Sequence, residues 1–173
     1  LSIIANHGSY YTPHIVRAID GQPQDDPRFT VLKKSLVEPR YFEPIIDGMR
    51  DAFINGTARQ YRTTLFSQAG KTGTAQNPHG QDHSVFALIA PVEDPKIVVA
   101  VVVENGYWGA RWAAPMASLI AERYITDTIE RKALETRMMT GSLEYEYEKQ
   151  WITYLKRKGW YVEPVVKDSV ESE

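Results

Sequence analysis

The sequence predicts an α+β domain in which an antiparallel sheet is flanked by helices. Three strand-like segments follow one another near the middle of the chain, and short turn-forming segments of the kind found in hairpins separate them. Segments with apolar residues at helical spacing stand before and after this run. Strands that are consecutive in sequence, with helices segregated from them, are typical of an α+β layered architecture.

Composition limits the class of protein. The chain has 173 residues, of which 43% are hydrophobic, so it is long enough to bury one ordinary core. Its 20 basic and 22 acidic residues give a formal net charge of -2, which argues against binding to nucleic acid or an anionic membrane. The absence of cysteine excludes disulfides, cysteine-zinc sites and thiol nucleophiles. The longest apolar run, Ile97 to Val103, is too short to cross a membrane, so we expect any anchor or export signal to lie upstream.

The N-terminal third is expected to be irregular. The first residues read as the last turns of a helix that Gly8 stops. Tyr10 to Ile19 is rich in aromatic and branched residues and predicts a strand before a turn at Asp20-Gly21. Gln22 to Arg28, with two prolines and two aspartates, indicates a loop, and Phe29 to Leu32 has the composition of a further short strand.

An amphipathic helix is predicted from Pro44 to Asn55. Pro44 suits a first helical turn, Gly56 suits the end, and apolar side chains recur between them at helical spacing.

Three antiparallel strands are predicted next. Leu65 to Thr74 and Ser84 to Ala90 are joined by the turn-forming sequence Asn77-Pro78-His79-Gly80, which makes them a hairpin. Ile97 to Val103 is apolar on both faces, as expected of a central strand that is covered on each side.

A second helix is predicted from Ala113 to Ile129, packed on the sheet through the face that carries Ala113, Ala117, Ile120 and Tyr124. The composition changes near residue 141, so we expect residues 1–140 to belong to one domain and 141–173 to form an extension. The extension alternates acidic and aromatic residues and predicts a helix followed by a frayed polar end from Lys167. Its six aromatic side chains favour docking on a protein surface over full exposure to water.

The sharpest chemical signal is Lys71-Thr72-Gly73-Thr74, on the first strand of the hairpin. A cation and hydroxyl groups at one end of a cleft can bind a carboxylate through charge-assisted hydrogen bonds. A glycine between them leaves room for a ligand backbone, and a main-chain N–H can serve as an oxyanion donor. Alternation along a strand puts Lys71 and Thr72 on opposite faces, so both reach one ligand only if this strand borders the cleft.

Two further clusters allow a functional and a structural interpretation. His79, Asp82 and His83 lie in a turn-forming segment, where loop hydrogen bonding is favoured over a metal site because no helix presents the histidines together. Contact of Asp82 or His83 with substrate stays open. Tyr107, Trp108 and Trp112 flank a glycine-rich loop, and either pack on the following helix or form a wall of a cleft; the structural interpretation is favoured.

The segment from Gly70 to Ser84, GKTGTAQNPHGQDHS, resembles the third active-site motif of class B penicillin-binding proteins of the elongation type, penicillin-binding protein 2. The resemblance extends in unbroken order over roughly residues 1–130. It includes Ala5 to Gly8, the helix that ends in Asn55-Gly56-Thr57-Ala58, Phe86 to Pro91, and Val103 to Gly106. The chain is identified from this as the C-terminal part of the transpeptidase domain.

The resemblance implies a D,D-transpeptidase that cross-links peptidoglycan stem peptides through an acyl-serine intermediate and binds β-lactam antibiotics. Lys71 would be the catalytic residue, organising proton transfer beside the serine, and Thr72, Gly73 and Thr74 would bind substrate. The main-chain N–H of Thr74 would be one oxyanion donor. A membrane glycan polymerase of the rod-shape machinery is the expected partner, at the periplasmic face of the bacterial inner membrane. No metal or organic cofactor is implied.

The nucleophile itself is missing from the sequence. No serine begins a Ser-x-x-Lys motif and no Ser-x-Asn motif occurs, so one of three catalytic motifs is present. We expect the serine upstream and the isolated chain to be inactive. Two alternatives stay open at this point: a fragment of a β-lactamase-type hydrolase, whose water-activating base would also lie upstream, and a non-catalytic docking module.

Overall fold

A computed structural model describes residues 1–163 of the protein. The chain divides into two compact units, Leu1–Met139 and a second that begins at Thr140. The helices are α1 Ser2–Ala5, α2 Pro27–Thr30, α3 Phe42–Ile54, α4 Ala113–Thr126, α5 Lys132–Thr140 and α6 Glu144–Lys158, with 3-10 turns at Pro39–Tyr41 and Arg59–Tyr61. The strands are β1 Ser9–Tyr10, β2 Ala18–Ile19, β3 Gln22–Pro23, β4 Lys33–Lys34, β5 Ala69–Ala75, β6 His83–Ala90 and β7 Ile97–Val103.

The main sheet has three antiparallel strands in the order β5-β6-β7. Thr72 pairs with Phe86, and Phe86 pairs with Val101, which fixes the register across the sheet. The predicted α+β class and the three consecutive strands are therefore confirmed. The prediction that Ile97 to Val103 is the central strand is wrong, because within the described residues β7 pairs only with β6 and its Val102 is 62% exposed.

The two faces of this sheet pack against different helices. On one face, Phe86 and Leu88 are fully buried with Phe53 near the end of α3 and with the alanines of α4. On the other, Ala69 and Ile89 pack against α1 and the first turns of α3. α3 therefore contributes to both cores, and it has extensive contact with β5. The predicted helix from Pro44 to Asn55 is confirmed.

α4 buries only part of the face predicted for it. Ala113, Ala117 and Ala121 are completely buried against the sheet, whereas Ile120 and Tyr124 are 47% and 60% exposed. Alanine lets the helix backbone lie close to the strands, so small residues form the contact and the large apolar ones point outward. The helix itself is confirmed, and it ends at Thr126 with Asp127 in the left-handed conformation.

The N-terminal third differs most from its prediction. The helix end before Gly8 is confirmed, with a Gly8 φ of +101°. The strand from Tyr10 to Ile19 is wrong: only two two-residue strands, β1 and β2, form there. The strand from Phe29 to Leu32 is also wrong, because the Asp26 side chain accepts a hydrogen bond from the Arg28 N–H and caps α2.

The second unit contains a single long helix among its described residues. α6 ends at Lys158 and is followed by Gly159 in the left-handed conformation, and Trp151 and Tyr154 stack on its surface at 5.5 Å between ring centroids. The helical part of the predicted extension is thus present. Docking of its aromatic residues stays a prediction, and the predicted frayed end from Lys167 lies outside the described residues. None of the helices in residues 1–163 is both long and apolar enough to span a membrane.

Candidate active site

The Lys-Thr-Gly motif lies where strand β5 emerges from the core. Ala69 and Gly70 are buried, and the strand is exposed or half-buried from Lys71 onward. Gly70 is required at this point, because a Cβ there would lie 2.7 Å from both the Phe86 ring and the Ala87 carbonyl oxygen. The sheet thus anchors the strand at one end and presents the motif at the other.

Within the described residues β5 is at the edge of its sheet. Pairing gives Thr72 and Thr74 the same face as Phe86 and Ser84, and Lys71 the opposite face. Lys71 and Thr72 can reach the same ligand only if their strand borders the cleft. An edge position of β5 satisfies this requirement. The structure therefore leaves Lys71, Thr72 and Thr74 grouped around one free strand edge.

Two hydrogen bonds hold the residue at the second position of the motif. The Lys71 Nζ donates to the Thr72 carbonyl oxygen at 2.8 Å. The Thr72 hydroxyl lies 3.0 Å from the hydroxyl of Thr57, in the turn that follows α3. Thr57 is not among the site residues that the sequence predicts, although its turn, Asn55-Gly56-Thr57-Ala58, is part of the family pattern.

The loop from Asn105 to Trp112 covers the sheet beside the motif. Ser84, which pairs with Thr74 and is completely buried, donates from Oγ to the Trp108 carbonyl at 2.9 Å. The same oxygen accepts the Ala113 N–H at 3.1 Å, at the start of α4. One serine hydroxyl thus ties the loop and the helix to the strand beside the motif.

Close contact between the covering loop and the motif strand occurs at Gly109. A Cβ on Gly109 would lie 2.6 Å from the Gly73 carbonyl oxygen and 2.4 Å from that of Val85. A Cβ on Gly73 would have its nearest contact with the Val85 side chain, at the ordinary van der Waals distance of 3.4 Å. Gly109 therefore allows the loop to lie against the motif strand, and a role of Gly73 in admitting a ligand stays a prediction.

The hairpin loop is tied to the same covering loop. The Asn105 side-chain oxygen accepts from the Asn77 amide at 3.0 Å and from the Gln81 N–H at 3.1 Å. His83 Nδ1 accepts the Asn105 N–H at 3.0 Å, and an Asp82 oxygen accepts the Asn77 N–H at 3.2 Å. These contacts agree with the loop-bonding interpretation of Asp82 and His83. No group of three potential metal ligands is assembled anywhere in residues 1–163.

The three aromatic residues of the loop separate into two environments. Trp112 is buried at the start of α4, as the packing interpretation predicted. Trp108 is 65% exposed, and its ring lies 6.3 Å from that of Tyr107. Tyr107 adopts a φ of +63°, which a bulky residue rarely adopts. The half-buried Tyr107 and the exposed Trp108 thus form an aromatic pair on the loop that covers the motif strand.

A buried polar network lies behind the strand, and sequence reasoning missed it. Glu122 of α4 is fully buried, and its carboxylate accepts from Arg131 Nε at 2.5 Å. Arg131 also donates to the Tyr61 carbonyl and to Ser118, whose hydroxyl accepts from Gln68 at 2.8 Å. Gln68 directly precedes β5, so the network connects α4 to the start of the motif strand.

The electrostatics of this network favour the ionised carboxylate. Burial by itself would raise the pKa of Glu122, but hydrogen bonds from the Arg131 side chain and the Glu130 N–H, with the guanidinium charge, outweigh it. The pKa of Glu122 therefore lies below the ordinary glutamate value. A glutamate inside an alanine-rich helix, paired with an arginine nine residues later, was the only available signal in the sequence.

Comparison with known proteins gives one consistent family. Residues 1–122 match the profile "Penicillin binding protein transpeptidase domain". Peptidoglycan D,D-transpeptidase MrdA of Haemophilus influenzae is 32% identical over 151 residues, which cover 74% of this chain and 23% of that protein.

Solved structures agree with this assignment. Pseudomonas aeruginosa PBP2, crystallised in complex with WCK 5153, matches with a TM-score of 0.61 at 31% identity, covering 76% of this chain and 30% of that one. A chain from a structure on the coordination of polymerization and crosslinking by a peptidoglycan synthase complex matches with a TM-score of 0.57 at 30% identity, covering 75% and 23%. The chain thus spans roughly a quarter of the length of these relatives. The resemblance read from the motif is confirmed: this chain belongs to the penicillin-binding protein transpeptidase domain family.

Proposed function

We propose that these residues are the C-terminal part of a peptidoglycan D,D-transpeptidase that cross-links stem peptides and is acylated by β-lactams. The observation that carries the proposal is the free edge of β5, where Lys71, Thr72 and Thr74 are grouped beside the loop that carries Tyr107 and Trp108. A peptide or a β-lactam with a carboxylate can lie along such an edge as an added strand and find donors for its charge there.

The nucleophile is proposed to come from a segment upstream of residue 1. The face of the sheet that carries Lys71 is uncovered near the motif, since Ala100 and Val102 on that face are exposed among the described residues. A segment that covers this face would place a serine and its base close to the Lys71 ammonium. This arrangement supplies the geometry that acyl transfer needs, with nucleophile, base and oxyanion donors together.

In the proposed reaction, the serine oxygen bonds to the carbonyl carbon of the penultimate D-amino acid and the terminal residue leaves as an amine, taking up a proton. An amine of a second stem peptide then attacks the acyl-serine ester, forms the cross-link and returns the proton to the serine oxygen. Thr72 and Thr74 bind the terminal carboxylate, and Lys71 orients the groups that move the proton. The Thr74 N–H is one of the donors that stabilise the oxyanion.

We further propose that the protein acts at the periplasmic face of a bacterial inner membrane, held by an upstream N-terminal anchor. Its proposed partner is a membrane glycan polymerase of the rod-shape machinery. What supports this partner is the similarity to a chain of a peptidoglycan synthase complex whose structure concerns both polymerization and crosslinking.

The test is acylation by a fluorescent penicillin, followed by mass spectrometry of the labelled peptides. We expect the full-length protein to carry one acyl group on a serine upstream of residue 1, and the 173-residue chain to carry none. An adduct on a serine within residues 1–173 would contradict the upstream nucleophile. Absence of labelling in the full-length protein would contradict the transpeptidase function, and rapid release of the acyl group to water would favour a hydrolase of the β-lactamase type.

A further inference from the structure

The hydroxyl pair formed by Thr57 and Thr72 links the motif strand to a turn outside the sheet. The two Oγ atoms are 3.0 Å apart, although the residues are 15 positions apart in the sequence. Thr57 is exposed and Thr72 is half-buried, so neither side chain is required to fill the core. A contact of this kind between two accessible side chains does little for stability and is better explained by what it does to the Thr72 hydroxyl.

The turn that carries Thr57 is held tightly on both sides. The N–H groups of Asn55 and Gly56 donate to the Asp51 carbonyl, and the Ala58 N–H donates to the Ala52 carbonyl at 2.9 Å. A Cβ on Gly56 would lie 2.8 Å from the Ala52 Cα, so the turn can approach the helix end only with glycine there. Ala58 is completely buried. Thr57 is therefore held at a fixed point beside β5.

The number of hydroxyl protons decides which of Thr57 and Thr72 donates in their hydrogen bond. A threonine hydroxyl has one proton to donate and lone pairs that accept. If Thr72 gives its proton to a substrate carboxylate, which only accepts, then the contact with Thr57 must run the other way, from the Thr57 hydroxyl to the Thr72 oxygen. A donor behind a hydroxyl fixes its rotation and polarises it toward the next acceptor. On the backbone side, the Lys71 ammonium already holds the Thr72 carbonyl.

We infer that Thr57 is a positioning residue for carboxylate recognition: it donates to Thr72 and aims the Thr72 proton at the carboxylate of the substrate or β-lactam. The inference rests on the proposed function and deepens it, because it assigns a role in the site to a residue outside the Lys-Thr-Gly motif. Thr57 acts through Thr72 and does not touch the ligand.

The experiment measures the rate constant for acylation of the full-length protein by a penicillin and by its methyl ester, in which the carboxylate charge is masked. Thr57→Val should slow acylation by the free acid about three- to tenfold, the effect of one neutral hydrogen bond, and leave the ester rate unchanged. Thr57→Ser should restore the rate with the acid. Thr64→Val, the same change at another exposed threonine between α3 and β5, serves as the control and should alter neither rate.

A Thr72→Val background tests whether the effect passes through Thr72. In that background, Thr57→Val should have no further effect on acylation by the acid. Two results would overturn the positioning role and leave the transpeptidase proposal standing. In the first, Thr57→Val is slowed equally with acid and ester; in the second, it reacts with both at the wild-type rate. A wild-type protein that no penicillin acylates would overturn the proposed function and this inference with it.

Discussion

Arg131 Nε lies 2.5 Å from a carboxylate oxygen of Glu122, a glutamate that no solvent reaches. The arginine is 20% exposed and keeps the Tyr61 and Ser118 carbonyls as acceptors, so the two partners are not equivalent. We expect Arg131→Met to destabilise the chain by about 3–5 kcal/mol, because it leaves a buried carboxylate without a cation. Glu122→Gln should cost less, about 1–3 kcal/mol.

Urea unfolding of the two single variants and the double variant checks this asymmetry. The double variant should be more stable than the sum of the single losses predicts, because it no longer contains an unpaired charge. Additive losses, or a larger loss for Glu122→Gln, would contradict the argument from the unpaired carboxylate.

The same pair predicts a pH dependence of stability. The pKa of Glu122 is lowered in the folded chain, so its contribution is present above the ordinary glutamate pKa and is lost as pH falls through the lowered value. In Arg131→Met, burial without a cation should raise that pKa, and the carboxylate then destabilises the fold as pH rises. The wild type should therefore lose its advantage in unfolding free energy over Arg131→Met as the pH is lowered from about 6 to about 3. A gap that is constant across this range would contradict the assignment.

Glycine-to-alanine substitutions at Gly109 and Gly48 should change stability in opposite directions. Gly109→Ala would put a Cβ 2.4 Å from the Val85 carbonyl oxygen, so the covering loop must move away from the motif strand, at a cost of about 1–3 kcal/mol. Gly48 lies inside α3, and a Cβ there meets nothing within 4 Å. Gly48→Ala should therefore stabilise the chain by about 0.5–1 kcal/mol. Thermal unfolding measures both, and a neutral Gly109→Ala would show that the loop adapts without strain.

Lys71→Ala is expected to separate function from stability. Lys71 is exposed and its ammonium donates to the neighbouring Thr72 carbonyl, so its removal should change the unfolding free energy by less than about 0.5 kcal/mol. Acylation of the full-length protein by penicillin should fall by at least about a hundredfold if the ammonium assists proton transfer. Lys34→Ala, which removes an exposed strand lysine outside β5, is the control. A near-normal acylation rate would remove Lys71 from the mechanism.

The sequence predicts the structure correctly where the local signals within one segment agree. The helix from Pro44 to Asn55 and the hairpin around Asn77 to Gly80 each had periodicity and turn chemistry in agreement. The same reasoning misjudged α4, because a hydrophobic stripe through Ile120 competed with an alanine stripe that fits closer to the sheet.

The parts that could not be predicted depend on contacts between distant segments. The Thr57 to Thr72 contact, the Ser84 bonds to the covering loop and the burial of Glu122 each join residues that only the fold brings together. Family resemblance identified the Lys-Thr-Gly strand but gave no reason to single out these neighbours. A two-residue strand such as β1 leaves almost no periodic signal.

The outer edge of β7 governs how the isolated chain should behave in concentrated solution. Its seven residues, Ile97–Val103, include neither a charge nor a proline, and among residues 1–163 the strand is paired on one side only. Bare edges of strongly β-forming residues are templates for aggregation by strand addition. We expect turbidity and thioflavin fluorescence to rise with concentration, and Val102→Lys, at an exposed position, to suppress the rise as an edge gatekeeper. Aggregation that is unaffected by this lysine would have to begin at another surface.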